Sequence, residues 1–404
     1  MNSSATTAAP QPRVLLRIAP FVAIIFFGYL TVGIPLAAIP LQVHDTLGFG
    51  NLTVGIAVGI QSLATLLTRQ FAGALCDRRG AKFGVVLGGA CSVLAGAAYF
   101  AAASGAPGSY LALAVLLAAR LISGLAEALV MTGCLAWAIG AVGAQHTGKV
   151  MVWVGICMYG AIACGAPIGV QLMTWQGALG GFAAAATATI VCSILATAVA
   201  GLVAAVEPHG GKRLSFMSVV GRIAPFGAGL ALATIAFGAT GTFAALDFQS
   251  KGWSGSGFAL TGFGAAYIFT RLLCGGWPDR FGGARVAGCS LLIECAGQLL
   301  LFLAPLPAVA FAGAILSGIG FSLVFPSLGI EAVRRVPPAS RGAALGAYVA
   351  FFDVGFGLAG PITGTVVGAL GYPSAFATGA LGALAALFAA RRAARSTAST
   401  TTRA

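Results

Sequence analysis

TRQFAGALCDRRG at residues 68–80 and TRLLCGGWPDRFG at residues 270–282 are near copies of one another. Each has Thr-Arg followed at the same spacings by Gly, Asp-Arg and Gly, so every shared residue recurs 202 positions later in a chain of 404 residues. The run RIAPF also occurs twice, at residues 17–21 and 222–226. Gly124, Gly148 and Pro167 have counterparts 194 positions later. These echoes indicate two duplicated halves of like orientation that differ by small loop deletions.

The composition places both halves in a lipid bilayer. Apolar residues make up 59% of the chain and charged residues 8%, whereas about 25% of a soluble domain is charged. At about 20 residues per span, the length fits about twelve helices. We therefore predict an all-α membrane protein with about twelve transmembrane helices in two pseudo-symmetric six-helix halves, at residues 18–206 and 223–390. The predicted spans are residues 18–40, 51–74, 83–104, 109–140, 149–172, 177–206, 223–247, 257–277, 286–304, 308–332, 343–367 and 373–390.

The positive charges predict the orientation of the chain. With tails at residues 1–17 and 391–404 and a linker at residues 207–222, eighteen of the 22 Lys and Arg residues fall on the side of the tails. Lys251 alone falls on the opposite side, and three arginines lie within spans. Cytoplasmic loops carry such an excess. The net charge of +13 therefore reflects topology, with no nucleic-acid partner, and we expect a multi-pass protein of the bacterial inner membrane with both termini cytoplasmic.

Several other classes of protein are disfavoured by the sequence. The first 17 residues lack the pattern of a removed signal peptide. The nine cysteines form no C-x-x-C pair and are expected to be apolar filler rather than metal ligands. Residues 143–150 read G-x-x-x-x-G-K-V, one residue short of a phosphate-binding loop, because Val150 replaces the magnesium-binding hydroxyl, and no strand precedes the stretch. We therefore expect neither an enzyme nor a cofactor, and energy from an ion gradient or from the substrate's own gradient.

The first of the two copies resembles the signature loop of the major facilitator superfamily, G-x-L-x-D-R-x-G-R-K, between helices two and three. It matches at Gly73, Leu75, Asp77, Arg78, Gly80 and Lys82. The second copy matches at Gly275, Asp279, Arg280 and Gly282. RLISG at residues 120–124 is similar to the family's helix-four pattern, and within the superfamily the sequence looks most like the YhhS/YfcJ branch of predicted bacterial permeases. The resemblance implies a transporter whose halves rock around a central site, with helices one, four, seven and ten as its walls.

The signature loops are candidate latches between helix ends. Asp77 could face the N-terminal end of the eleventh span near Gly342, where free N–H groups favour an anion. Arg78 and Lys82 could pair with carboxylates or bind anionic headgroups. Asp279 and Arg280 would form a weaker second latch. The alternative is that these residues are ordinary positive-inside loop charges.

Arg69 and Arg271 occupy equivalent positions within the second and eighth spans. An arginine inside a span costs roughly 2.5–3.5 kcal/mol on insertion scales, so it faces protein or water rather than lipid. Pseudo-symmetry would place the two opposite each other, where their planar forks could bind one carboxylate, phosphonate or sulfonate. The alternative is that each extends to the cytoplasmic face or pairs within its own latch.

The remaining mid-span charges are candidates for ion coupling. Arg120 and Glu127 lie seven residues apart on one face of the fourth span, where Glu127 could exchange a proton or form a static ion pair. Asp353 and Tyr159 are pseudo-symmetric mates, at an offset of 194, and both could face the central cleft. Glu294, in the ninth span, is expected to neutralise a neighbour or to stay protonated.

Two Gly-Pro elements are predicted to kink their helices, because proline removes a backbone hydrogen bond. They comprise Gly165, Pro167 and Gly169 in the fifth span, and Gly360 and Pro361 in the eleventh. In the superfamily such an element on helix five is associated with antiporters. We expect a monomer that carries out proton-coupled efflux of a small organic compound, with anions among the candidates. The alternatives are proton-coupled uptake of an organic acid and, more distantly, a sensor or scaffold that transports nothing.

Overall fold

The computed structural model describes residues 11–143, 147–175, 180–206, 216–336 and 341–401. Residues 207–215 of the predicted linker, and 1–10 and 402–404 of the predicted tails, lie outside this part of the chain. The described residues form helices and connecting turns, without a strand. The helices are α1 Gln11–Leu41, α2 Asn51–Arg79, α3 Ala81–Ala103, α4 Tyr110–Val142, α5 Thr147–Thr174, α6 Phe182–Leu202, α7 Phe216–Ser250, α8 Gly257–Cys274, α9 Trp277–Phe281, α10 Gly283–Leu303, α11 Pro307–Val333, α12 Arg341–Leu370 and α13 Ser374–Thr401.

The predicted membrane fold is confirmed. Within the described residues, 12 helices are long and apolar enough to cross a bilayer, and they are all of the helices except the five-residue α9. A π-helical stretch, Gln42–Thr46, extends α1. Because twelve spans are an even number, the start of the first described span and the end of the last lie at the same face, here named the termini face. The other face is named the opposite face.

The two signature copies end their helices differently. The first continues α2 to Arg79, so Asp77 lies in a helix rather than in a loop. In the second copy α8 ends at Cys274 and the short α9 follows, with Pro278 in its first turn. Proline lacks the N–H that would continue α8, and Gly275 and Gly276 precede it. In both copies the last glycine has a positive φ, +91° at Gly80 and +88° at Gly282, and this turns the chain into the next span.

The internal duplication is visible in the packing. In the first half, the Cα of Gly124 on α4 packs directly on the backbone of Gln61 on α2. In the second half, Gly318 on α11 packs in the same way on the backbone of Phe263 on α8. Gly318 lies 194 positions after Gly124, and Phe263 lies 202 positions after Gln61. Positions related by these offsets are therefore spatial counterparts in the two six-helix halves.

The halves meet along two seams of backbone-to-backbone contact, one between α2 and α12 and the other between α5 and α8. In the first seam, Gly55 packs on the backbone of Gly360 and on Pro361. In the second, Gly257 packs on the backbone of Pro167. The Thr261 hydroxyl, on α8, also donates across the second seam to the carbonyl oxygen of Ala163 at 2.7 Å. Small residues allow helix backbones to approach this closely in lipid.

The Gly-Pro elements thus contribute to contacts between helices. Pro167 and Pro361 lie inside helices that continue without interruption, α5 and α12. Gly165 and Gly169 pack on Gly33 and Ile34 of α1 within the first half. A kink at either proline stays a prediction.

We predict that Gly55→Leu separates the first seam, because any side chain at residue 55 would overlap the backbone of Gly360. The measurement is crosslinking by a bifunctional thiol reagent of His44→Cys with Tyr372→Cys, two positions in contact between the segments that precede α2 and follow α12, in a chain whose nine native cysteines are replaced. Crosslinking should fall at least tenfold. Gly155→Leu is the matched control, since its added side chain meets open space, and should crosslink normally. Efficient crosslinking in Gly55→Leu would contradict the described seam.

Candidate functional site

An ion pair joins the two halves across the first seam. Arg69 on α2 donates to Asp353 Oδ2 on α12 through both Nε, at 3.0 Å, and Nη2, at 2.5 Å. The side chains are 22% and 6% exposed, respectively. Asp353 thus reaches the arginine of the other half. Arg69 is therefore neutralised by the protein, which differs from the prediction of two uncompensated guanidiniums sharing one anion.

A second set of polar side chains surrounds Glu127 on α4. Its Oε1 accepts from the Tyr29 hydroxyl at 3.3 Å. Its Oε2 accepts from Gln61 Nε2 at 2.9 Å and from the Thr65 hydroxyl at 3.2 Å. A cavity of about 10 Å³ borders Tyr29, Ser123 and Glu127, close to the smallest that holds a water molecule. The carboxylate is thus held by neutral donors from α1 and α2.

Arg120 and Glu127 do not pair directly. Arg120 is buried and donates to the carbonyl oxygens of Ala57 and Val58, at 2.8 and 2.6 Å, and to the amide oxygen of Gln61. Gln61 therefore bridges the two charges, accepting from Arg120 and donating to Glu127. The static ion pair that was one of the two alternatives for these residues is not formed between Arg120 and Glu127 in this conformation, because the Gln61 amide binds both groups.

Sequence reasoning missed Gln61, Thr65 and Tyr29. A signal for the first two was present, because Gln61, Thr65 and Arg69 follow one another at intervals of four residues. Residues at this spacing share one face of a helix. Three polar side chains on one face of a predicted span indicate a face turned away from lipid.

Arg271, the counterpart of Arg69, has a different environment. Its Nη1 donates to the carbonyl oxygen of Ser322 at 2.8 Å and to the Tyr267 hydroxyl at 3.4 Å. The Tyr267 ring in turn stacks on Tyr159 across the second seam, with ring centroids 3.8 Å apart. Among the residues that the structure describes, no carboxylate lies within 4.0 Å of Arg271. Tyr159 stands at the position equivalent to Asp353, and it cannot neutralise the guanidinium.

Aromatic rings of the second half replace the polar network of the first. Phe263, Tyr267 and Phe321 are the counterparts of Gln61, Thr65 and Glu127 at offsets of 202 and 194. Phe237 joins this cluster, with ring centroids 5.1 Å from Phe263 and 5.8 Å from Phe321. The duplicated scaffold therefore carries a polar lining on one side and an aromatic lining on the other.

The first signature loop makes its described contacts inside the first half. Lys82 Nζ donates to the carbonyl oxygens of Gly201 and Val203 at 2.8 and 2.7 Å, which are otherwise free groups at the end of α6. The predicted pairing of Lys82 with carboxylates or headgroups is therefore replaced by helix capping. The predicted partner of Asp77, the start of α12 near Gly342, lies outside the described side chains.

The other signature residues are placed as follows. Arg78 is exposed at the termini face, without an ion-pair partner among the described residues. Asp279 and Arg280 are exposed on α9, with Arg280 stacked over the Phe281 ring at 5.2 Å. Gly73 has open space beside its Cα, whereas Gly275 lies close to the Arg271 carbonyl group. A latching role of this set remains a prediction.

A separate contact joins the halves at the opposite face. The His44 Nε2 lies 2.9 Å from the Tyr372 hydroxyl, and its Nδ1 lies 2.8 Å from Asp45 Oδ1. Burial raises the pKa of the Tyr372 hydroxyl, and the Asp45 carboxylate raises it further. A cavity of about 840 Å³ opens nearby, between the ends of α1, α5, α7 and α8. It is lined in part by Asp45, Gln171 and Trp253.

Comparisons with known proteins agree with this architecture. The sequence profile of the Major Facilitator Superfamily matches residues 21–254 and 223–404. An uncharacterized MFS-type transporter of Burkholderia mallei (strain SAVP1) is 42% identical over 390 residues, which cover 94% of either chain. One of Pseudomonas aeruginosa (strain LESB58) is 44% identical over 366 residues, covering 91% of this chain and 90% of the relative. The crystal structure of a D-xylose-proton symporter has a similar fold, with a TM-score of 0.74 at 16% identity over 93% of this chain and 96% of that chain.

We predict that Gln61→Ala destabilises the protein, because it removes a partner from both Arg120 and Glu127 inside the bundle. The free energy of unfolding should fall by about 2–3 kcal/mol, the cost of leaving buried polar groups unsatisfied. The measurement is thermal unfolding in detergent. Thr68→Ala, two turns further along α2, is the control: the described hydrogen bonds of the Thr68 hydroxyl go to carbonyl groups of its own helix, so its loss should matter little. Equal stability of the two variants would argue against the bridging role.

Proposed function

The chain belongs to the major facilitator superfamily, and we propose that it is a secondary active transporter that exports a small organic anion in exchange for protons. The observation that carries this proposal is the difference between two equivalent arginines. Arg69 has a carboxylate partner, Asp353, whereas Arg271 has none among the described residues. We propose that the substrate supplies the negative charge that Arg271 lacks.

Arg271 has the chemistry to bind an anion. A guanidinium held away from water is costly unless it is paired, and its described partners are a carbonyl oxygen and a hydroxyl. Its planar fork can bind a carboxylate, phosphonate or sulfonate through two parallel hydrogen bonds. A substrate anion would therefore complete the site, and the charge of that anion would determine which compounds are accepted.

The neighbouring rings favour an anion with a flat apolar body. The Arg271 guanidinium carbon lies 5.8 Å from the centre of the Tyr267 ring, and that ring belongs to the aromatic lining with Tyr159 and Phe321. Aromatic pairs gain about 0.5–1.5 kcal/mol beyond the burial of their area. Aromatic acids are thus proposed to bind more tightly than aliphatic acids of the same charge.

The ion pair across the first seam is proposed to couple transport to protons. Protonation of Asp353 would remove its charge and release Arg69, and this would weaken a contact that holds α2 to α12. Because the pair joins the two halves, its protonation state and their relative position are linked. Glu127 is the second proposed proton acceptor, held by Tyr29, Thr65 and Gln61, with Arg120 acting through Gln61.

Direction and location complete the proposal. The Lys and Arg distribution supports a bacterial inner membrane with both termini cytoplasmic, and a monomer contains both halves of the site. Asp77 and Gly80, with their equivalents in the second half, are proposed to latch the helix ends at the termini face during alternating access. The same site would serve uptake of an organic acid with protons, and the sign of proton movement separates the two directions.

We predict that Arg271→Lys weakens substrate binding at least tenfold, equivalent to about 1.4 kcal/mol, because an ammonium lacks the two-pronged fork. The measurement is proton movement in vesicles of known orientation, screened with aromatic anions, aliphatic anions and cationic drugs. Arg285→Lys is the control, since Arg285 is exposed at the start of α10, and should behave as wild type. A response to cationic drugs alone, unchanged in Arg271→Lys, would contradict the assignment of an anion.

We predict that Asp353→Asn separates substrate movement from proton movement. The amide keeps the shape of the side chain but cannot take up a proton, so exchange of substrate between two loaded compartments should continue. Transport driven by a pH gradient should fall at least tenfold. Glu331→Gln, the same acid-to-amide change at the end of α11 where Glu331 pairs with Arg334, is the matched control. Full pH-driven transport by Asp353→Asn would show that the coupling proton binds elsewhere.

A further inference from the structure

Glu294 is a buried acid that the proposed transport mechanism does not use. It lies on α10, inside the second half, with 0% of its surface exposed. Neither of its carboxylate oxygens has a hydrogen-bond partner within the described residues. An ionised carboxylate in such surroundings would lose its hydration without compensation, and this is among the most costly arrangements in a protein interior.

Gln298 lies one helical turn further along the same face of α10. Its Nε2 donates to the Thr240 hydroxyl oxygen at 3.0 Å, to the Ser317 hydroxyl oxygen at 2.9 Å and, more weakly, to the Ala236 carbonyl oxygen at 3.3 Å. The Thr240 hydroxyl already donates to Ala236 at 3.0 Å, so Thr240 must accept from Gln298. This fixes the orientation of the amide and leaves its oxygen, also buried, without a donor.

Three acceptor oxygens of Glu294 and Gln298 therefore lack a donor on one face of α10. The described charged residues of the helices packed around them lie toward the helix ends. They are Arg222 and Asp247 on α7, Asp279 and Arg280 on α9, Arg285 on α10, Glu331 on α11, and Arg391 and Arg392 on α13. None of these charged groups pairs with Glu294. The titratable residue adjacent to Glu294 in sequence is Cys295.

We propose that Glu294 and Gln298 form a proton-binding site, in which Glu294 is a neutral carboxylic acid whose O–H donates to the Gln298 amide oxygen. One proton taken from solution removes the charge of Glu294 and supplies the donor that Gln298 lacks. The two side chains lie four residues apart on a helix, a spacing that brings their ends together. The proton thereby links α10, through Gln298, to α7 and α11.

Close packing around these oxygens favours a proton over a metal ion. Gly320 of α11 packs directly on the backbone of Glu294, and its missing side chain would overlap α10. Gly379 of α13 approaches the Gln298 oxygen so closely that an added Cβ would lie 2.5 Å from it. A proton needs no space beyond that of the carboxyl group, whereas a sodium ion would require further oxygen ligands around it.

The test uses the full-length purified protein and its Glu294→Gln and Glu294→Ala variants. Infrared spectra at neutral pH should show a carboxylic-acid carbonyl band in wild type that is missing from both variants. Glu294→Gln supplies an amide N–H to Gln298 and should unfold at the wild-type temperature. Glu294→Ala leaves the Gln298 oxygen unsatisfied and should unfold at a lower temperature. Difference spectra, wild type minus variant, that show a carboxylate band in place of the acid band would overturn the proposal.

Stability against pH provides a second, independent readout. The folded protein would hold one proton more than the unfolded chain at neutral pH, so the wild-type folding equilibrium constant should fall up to tenfold for each unit of rising pH. Glu294→Gln should lack this component, whereas the control Glu331→Gln, at the end of α11, should retain it. Equal pH slopes in wild type and Glu294→Gln would refute the site. Stabilisation of wild type, and not of Glu294→Gln, by sodium chloride over choline chloride would assign it to sodium instead.

Discussion

The cost of an unpaired charge inside a bilayer constrains the whole interior of this protein. Some charged groups deep within the helices are compensated by neighbouring residues. Others are not, and this difference has chemical consequences. Arg69 and Asp353 neutralise each other across the halves, and Arg120 satisfies its guanidinium on backbone carbonyls and Gln61. Arg271 and Glu294 have no opposite charge within the described residues. The substrate anion and the bound proton proposed above would compensate these two charges.

Gene duplication supplied a symmetric scaffold, and side-chain divergence gave its halves different chemistry. The backbone contacts of Gly124 with Gln61 and of Gly318 with Phe263 are nearly the same, so the helices pack alike in both halves. The side chains at these positions have nevertheless become an amide and a phenyl ring. A carboxylate at residue 353 and a phenol at residue 159 are the corresponding difference at the seams. One scaffold thereby provides a titratable contact on one side and an aromatic contact on the other.

The fold was predictable from the sequence because hydropathy and the repeated spacing depend on local residues. The number of spans, the equivalence of Arg69 and Arg271 and the burial of Asp353 all follow from such patterns. Hydrogen-bond partners do not, because they depend on how helices turn toward one another. Gln61 has no charge to mark it within a span, and Lys82 reaches a carbonyl group 119 residues away in sequence. The break between α8 and α9 was readable from Pro278 but was hidden by the likeness of the two signature copies.

The seams between the halves have a mechanical consequence. Where Gly55 meets Gly360, and where Gly257 meets Pro167, backbone lies directly on backbone. At these points the helices can slide without a side chain of either glycine having to change rotamer. Side-chain contacts also cross between the halves, among them the Arg69–Asp353 pair, the Thr261 hydroxyl on Ala163, the contact of His44 with Tyr372 and the Tyr159–Tyr267 stack. Resistance to relative movement of the halves therefore includes bonds that a proton or a ligand can break.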